Sequence, residues 1–131
     1  MRITVMALLV GVGLLVAACG GSAESVIPYA DVPQTGDAVR GEQLYNTSVN
    51  NTPACNSCHI AGQTGSPDLT GYSEVADSRV PGESAHEYTF WAIAEPGRHV
   101  LEGYGNAMYN QYDNKLTPQD IADLIAYMLT L

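Results

Sequence analysis

Two cysteines and a histidine in one short run have the spacing of a reactive site: Cys55-Asn56-Ser57-Cys58-His59. A bare Cys-x-x-Cys pair suits a redox disulfide, half of a zinc site or the attachment of a haem. The histidine directly after the pair favours haem, because Cys-x-x-Cys-His is the c-type attachment pattern. Thiols three positions apart share one helical turn, so each can add to a vinyl group at one porphyrin edge. The next residue then points its imidazole at the iron.

Three other uses of the cysteine pair have weaker support. A structural zinc site needs four protein ligands, and His86 and His99 would have to complete it. A thioredoxin-like redox pair needs a βαβ context, whereas no strand-like run flanks this motif. A structural disulfide between Cys55 and Cys58 is compatible with an exported chain.

Three helices are predicted to position the motif. The first runs from Asp37 to about Asn46, and Gly41 within it allows another helix to approach closely. The middle helix begins at the capping-box pattern of residues 84–87 and stops before Pro96. The last helix has Thr117 as N-cap and proline at its first position. Its apolar residues form one stripe: Ile121, Leu124, Ile125, Met128 and Leu129.

The rest of the domain is predicted to be loop. No alternating run typical of a strand occurs, so the fold class is all-α. Residues 60–83 and 97–116 are unusually long connections for a compact domain unless they are functional. A haem accounts for them, because the macrocycle supplies core surface that loops can wrap.

From residue 36 to residue 131 the chain resembles the small monohaem class I cytochrome c family, including the cytochrome c domains attached to respiratory complexes. The attachment motif carries most of this resemblance, and the order of the helices adds to it. The resemblance implies three main helices and long loops around one covalently bound haem c. It also implies that the last helix crosses the first one at Gly41.

The same resemblance implies the second ligand of the haem iron. His59 supplies one axial bond, and in this family a methionine in the loop before the last helix supplies the other. Met108 lies in that loop. Tyr109 follows it, where the family often has proline, so the loop is expected to be less rigid. His99 is the rival ligand and His86 a more distant one.

Further haem contacts follow from the family pattern. Residues 67–71 resemble its Pro-x-Leu-x-Gly turn, in which the proline carbonyl accepts the Nδ1 hydrogen of the ligand histidine. Here Pro67 would serve His59. Trp91, Arg98 and Tyr104 are candidate hydrogen-bond donors to the haem propionates, although plain packing explains Trp91 and a solvated charge explains Arg98 equally well.

The first 18 residues are predicted to be a lipoprotein signal peptide. Arg2 precedes an almost wholly apolar run that is too short for a comfortable membrane span. The run ends at Val16-Ala17-Ala18-Cys19, which looks like the bacterial signal for acylation of Cys19 and cleavage before it. The alternative is an uncleaved signal anchor with an incidental cysteine. Residues 19–36 are expected to form the lipidated N-terminus and a flexible tether, and residues 37–131 the cytochrome c domain.

The charge balance limits the partners of the protein. Five Lys and Arg stand against fourteen Asp and Glu, for a net charge of −9 over 131 residues. Nucleic acid is therefore excluded as a partner, since affinity for phosphate backbones depends on Lys and Arg. A negative surface favours basic or neutral partners.

These features together predict electron transfer by a membrane-tethered monohaem cytochrome with His/Met-ligated iron. It would act as a carrier or haem subunit of a respiratory or photosynthetic chain, and not as an enzyme by itself. The expected location is the outer surface of the cytoplasmic membrane, on the periplasmic side, with redox proteins as partners. One alternative is a haem enzyme or gas- or peroxide-binding protein with an open sixth iron position. Another is a haemless binding module held by a Cys55–Cys58 disulfide.

Overall fold

The computed structural model of the protein describes residues 25–131, and their regular elements are all helical. Four α-helices occur in this range: α1 (Ala38–Asn46), α2 (Tyr72–Val75), α3 (Ala85–Ala94) and α4 (Pro118–Met128). Single 3₁₀ turns lie at Tyr29–Asp31, Cys55–Ser57, Ala76–Ser78 and Tyr112–Asn114. Residues 25–131 contain no strand, so the all-α prediction is confirmed. The predicted signal peptide and Cys19 lie outside the described residues.

The three longer helices begin at the residues that the sequence predicts. The Asp37 carboxylate accepts hydrogen bonds from two first-turn amides of α1, at 2.9 and 3.2 Å. The Ser84 hydroxyl accepts from the amide of Glu87 at 3.1 Å and so caps α3. At α4, Thr117 and Asp120 form a reciprocal capping box. Such caps satisfy backbone donors that a helix leaves free at its start.

Helices α1 and α4 cross at very short range, as the family resemblance implies. A Cβ atom on Gly41 would collide with the backbone carbonyl of Asp123, so no larger residue fits there without moving a helix. Gly36, just before α1, makes a similar close approach to the α4 backbone. On the same interface the rings of Tyr45 and Tyr127 pack with centroids 5.3 Å apart.

Charged groups reinforce this crossing. The Arg40 guanidinium on α1 pairs with the carboxylates of both Asp120 and Asp123 on α4. Asp123 also accepts the backbone amide of Asp37 at 2.8 Å. Burial alone would raise the pKa of these two α4 carboxyls, but the hydrogen bonds that they accept, those from Arg40 included, outweigh burial and lower both pKa values. Both side chains are therefore held as carboxylates.

The core lies between α3, α4 and the segments that cover them. Helix α3 is buried on more than one face, as predicted, and Phe90 and Thr89 within it are 0% exposed. The Tyr72 hydroxyl of α2 donates to Thr89 Oγ1 at 2.9 Å, and Thr89 in turn donates to the Ala85 carbonyl at 2.6 Å. Four of the five residues of the predicted α4 stripe, at 121, 124, 125 and 128, are buried, whereas Leu129 is the C-cap and only partly buried.

Two segments differ from the sequence prediction. Residues 60–83, expected as loop, contain α2 and the 3₁₀ turn after it. Residues 25–36, expected as part of a flexible tether, lie against the domain, with Ile27 and Val32 only 8% and 3% exposed. Within residues 25–131 no helix combines the length and apolar character needed to cross a bilayer.

Candidate haem site

The attachment motif forms a single tight turn. Residues Cys55–Ser57 make one 3₁₀ turn, and the amides of Cys58 and His59 both donate to the Cys55 carbonyl, at 3.2 and 2.9 Å. This bonding brings both thiols and the imidazole to one short stretch of backbone. All three side chains line the same cavity.

Tyrosines from two other parts of the chain hold this turn in place. The Tyr45 hydroxyl of α1 donates to the His59 carbonyl at 3.3 Å. The Tyr112 hydroxyl donates to the Pro53 carbonyl at 2.9 Å, just ahead of the turn. Burial raises the pKa of Tyr45 to about 12 and raises that of Tyr112 as well, so both phenols remain protonated donors near neutral pH. The position of the motif therefore depends on contacts distant in sequence.

The hydrogen bond to His59 determines which ring nitrogen is free. His59 Nδ1 lies 2.9 Å from the carbonyl oxygen of Pro67. A carbonyl oxygen can only accept, so Nδ1 carries the hydrogen of the neutral ring and Nε2 keeps its lone pair. An imidazole fixed in this tautomer and orientation is ready to bind a metal through Nε2.

The environment of the Cys55 thiol differs from that of a reactive redox cysteine. Burial is the main reason that the pKa of Cys55 is raised, to about 11, whereas reactive cysteines of redox motifs have lowered pKa values. Cys55 and Cys58 are both free thiols in the structure. Within residues 25–131 no group of three or more His, Cys, Asp and Glu side chains is arranged to hold a metal ion, so the described part of the chain offers no zinc site.

The cavity beside the motif has a volume of about 440 Å³, within the range of cofactor pockets. Helix α3 contributes Tyr88 and Ile93 to its wall, and α4 contributes Leu124 and Met128. The surface of this cavity is mostly apolar.

Met108 lies on the wall of this same cavity. It belongs to the connection between α3 and α4, whose residues at 99–101 and 104–109 all line the space. Met108 is partly buried and packs against the hydrophobic core. Met128 also lines the cavity, but it is a core residue of the α4 stripe.

Comparison with known families agrees with this geometry. The sequence model that describes the cytochrome c family matches residues 38–131, from the first residue of α1 to residue 131. The chain belongs to the cytochrome c family. Neither the curated proteins nor the solved structures gave a match.

Members of this family carry covalently attached haem c, and one haem suits this single cytochrome domain. The residues present fit the group. Two thiols on one turn are available for its vinyl groups, an imidazole with a free Nε2 for its iron, and a mostly apolar cavity for its macrocycle. Haem c supplies a one-electron Fe(III)/Fe(II) couple when bound.

Two predicted propionate donors do not reach the cavity. Trp91 and Arg98 are absent from its wall and instead stack on each other, with the guanidinium carbon 3.8 Å from the ring centroid. Arg98 also pairs with Glu83 and Glu95, at 3.5 and 4.0 Å. Its charge is therefore already matched by carboxylates. The Trp91 Nε1 atom faces Glu87 at 3.4 Å, so this donor too is occupied.

Other predicted residues do line the cavity, together with one that sequence reasoning missed. Pro67, Tyr104 and His99 are all on its wall, and His99 Nε2 lies 3.2 Å from a carboxylate oxygen of Glu83. Arg79 also lines the cavity, although no spacing or motif marks it in the sequence. His86 is not on the wall.

Proposed function

We propose that this cytochrome c transfers electrons one at a time with its haem iron ligated by His59 and Met108. The observation that carries the proposal is that both side chains line one cavity, while the carbonyl of Pro67 holds the free Nε2 of the imidazole available for a metal. A haem-binding domain of this family supports electron transfer in general. The choice of ligands is the specific part of the proposal.

The contribution of the protein is to fix the ligands and to exclude water. Pro67 orients the imidazole, and Tyr45 anchors the backbone of the same residue. The apolar wall of α3 and α4 keeps the local dielectric low, which tunes the redox potential. A methionine sulfur is a soft ligand and raises the potential of the iron. Ligation of the iron by both His59 and Met108 would leave no position on it for a substrate, so the bound group would exchange electrons alone.

Replacement of Met108 by alanine tests this ligation. The variant is expected to lose the weak far-red absorption band of a ferric iron–methionine bond and to bind carbon monoxide rapidly when reduced. Met128→Leu is the matched control, because it removes the other methionine on the cavity wall at similar volume and is expected to keep the band. Both holoproteins are compared at neutral pH.

Two results would contradict the ligand assignment. A wild-type protein without the far-red band, and with rapid carbon monoxide binding, would indicate an open position and favour a gas- or peroxide-binding role. Retention of the band in Met108→Ala, with loss in Met128→Leu, would move the ligand to α4.

We further propose that acylation of Cys19 anchors this cytochrome at the outer surface of the cytoplasmic membrane. Support comes from the residues before Cys19, which resemble a lipoprotein signal. Two or more acyl chains give stable anchoring where one does not. Mass spectrometry of the membrane fraction is expected to show a chain that begins with acylated Cys19. An unacylated chain that begins earlier would refute the anchor.

The partners proposed are redox proteins of a membrane electron-transfer chain with a basic docking face. The net charge of −9 supports this choice, and two of the arginines, Arg40 and Arg98, are already paired with carboxylates. Association is then expected to slow as salt concentration rises. A rate that does not depend on salt would indicate an apolar or preassembled contact. Co-migration with a large complex on native gels would favour a fixed subunit over a free carrier.

A further inference from the structure

Residues 25–36, here called the N-terminal strap, form part of the packed domain. The side chains of Ile27 and Val32 enter the hydrophobic core and are 8% and 3% exposed. The Tyr29 ring packs against α3, with its centroid 5.3 Å from that of Phe90 and 6.4 Å from that of Trp91. These contacts attach the strap along one side of α3.

A histidine on α3 fastens the middle of the strap. His86 Nε2 lies 3.2 Å from the Pro33 carbonyl, which can only accept, so Nε2 carries the hydrogen. Nδ1 is then the acceptor for the Tyr29 hydroxyl, 3.1 Å away. Burial lowers the pKa of His86, which keeps the ring in the neutral form that this arrangement requires.

The described start of the strap is fixed at the opposite end of α3. The amide of Ser25 donates to the carboxylate of Glu95 at 2.5 Å, and the amide of Val26 donates to Asp113 at 2.7 Å. Glu95 is the C-cap of α3, whereas His86 lies in its first turn. The strap therefore runs antiparallel to α3 and begins at the corner formed by Glu95 and Asp113, here called the entry corner.

We propose that the strap turns the entry corner toward the membrane and holds it close to the lipid surface. This inference rests on the proposed acylation of Cys19. Only six peptide units separate Cys19 from Ser25, and at 3.3–3.6 Å per residue they span at most about 20 Å. If residues 25–36 were not packed on the domain, the first fixed residue would be Asp37, and its maximum distance from Cys19 would rise to about 60 Å.

Two features of the entry corner suit a position near lipid. Both of its carboxylates accept backbone amides, and Asp113 is only 6% exposed, so neither is a freely solvated surface group. Val26 is 64% exposed at the same place, which puts an apolar side chain beside the anchor. Glu95 and Asp113 both belong to the connection between α3 and α4, which also carries Met108. The membrane-facing corner of the domain is thus formed by the same connection that holds Met108.

Spin labels at the two ends of the strap test the orientation. The full-length acylated holoprotein is reconstituted, with the haem reduced, in phosphatidylcholine vesicles that contain gadolinium-chelating lipid. Lys115→Cys places a label near the entry corner, and Val39→Cys places one beyond the far end of the strap; both positions are exposed. The label at 115 is expected to show several-fold greater relaxation enhancement than the label at 39. Equal enhancement at both positions would overturn the inference.

A longer linker between Cys19 and Ser25 provides the matched control, because it leaves the packed residues unchanged. Ten Gly and Ser residues inserted after Ser22 leave the strap intact but raise the maximum distance between Cys19 and Ser25 to about 55 Å. The enhancement at position 115 is then expected to fall toward the value at position 39, and an unchanged enhancement would overturn the inference. Flotation and mass spectrometry separate the two proposals. Unacylated Cys19 overturns both anchor and orientation, whereas equal relaxation in acylated protein overturns the orientation alone.

Discussion

Substitution of Gly41 by alanine probes the close contact between α1 and α4. A Cβ atom at this position would collide with the carbonyl oxygen and carbon of Asp123 and with the Cβ of Tyr127. The first two are backbone atoms of α4, so no rotamer change relieves the collision. The helices must separate, which also weakens the packing of Tyr45 on Tyr127.

The expected loss follows from two opposing effects. Alanine favours a helix interior over glycine by about 1 kcal/mol. Overpacking of a close contact costs about 1–3 kcal/mol, and the aromatic pair at risk is worth about 0.5–1.5 kcal/mol. Because the collision is with backbone, we expect the unfavourable terms to win by about 2 kcal/mol. For a domain of this size that loss lowers Tm by about 10 °C.

The measurement is urea unfolding of the reduced holoprotein, followed by circular dichroism. Gln43→Ala and Gln43→Gly serve as controls, because Gln43 is exposed on the same helix and their difference reports the propensity effect alone. Gly41→Val is expected to lose more stability than Gly41→Ala. A Gly41→Ala protein that gains the stability seen between the two Gln43 variants would refute the close crossing.

Three further predictions concern the ion pairs and the core. Arg40→Met is expected to lose most stability at neutral pH, because Arg40 lowers the pKa of its partners Asp120 and Asp123. The difference in unfolding free energy between wild type and variant should shrink as pH falls below about 4, where the two carboxylates become protonated. An equal difference at pH 7 and pH 3.5 would contradict this. Phe90→Ala, at a side chain with 0% exposure, should cost about 3–5 kcal/mol in urea unfolding, and a loss under about 1 kcal/mol would show that the site collapses. Thr89→Val leaves the buried Tyr72 hydroxyl without its acceptor and should cost about 1–3 kcal/mol of unfolding free energy. Tyr72→Phe should cost less, because Thr89 then keeps its hydrogen bond to the Ala85 carbonyl. The reverse order of the two losses would refute the proposed direction of the Tyr72–Thr89 hydrogen bond.

Features encoded within a few residues could be predicted from the sequence. The caps at Ser84 and Thr117 are read from adjacent positions, and the α4 stripe repeats with the helical period from Ile121 to Leu129. The attachment motif is likewise encoded within a few residues, because its chemistry depends on the spacing of Cys55, Cys58 and His59 within one turn. By contrast, α2 has four residues, which is too short for a period to be recognised.

Features that depend on tertiary contacts could not be predicted from the sequence. Ile27 and Val32 lie in a segment with prolines at 28 and 33 and no helical period, and their burial comes from packing into the hydrophobic core. The sequence predicts Trp91 and Arg98 as candidate donors to haem, whereas in the structure they stack on each other. Glu95 is only three residues before Arg98, but Glu83 is 15 residues away in the sequence, and both carboxylates together with the indole face take up the guanidinium. No local pattern distinguishes Arg79 from a solvated charge.

The pairing of the first long helix with the last one also bears on biogenesis. A chain synthesised from its amino end presents α1 long before α4 exists to receive it. Contacts between such distant segments form late, because a long loop must close first. The stretch between them, including the turn with both thiols, therefore stays accessible to maturation enzymes until the carboxyl-terminal segment arrives and closes the domain.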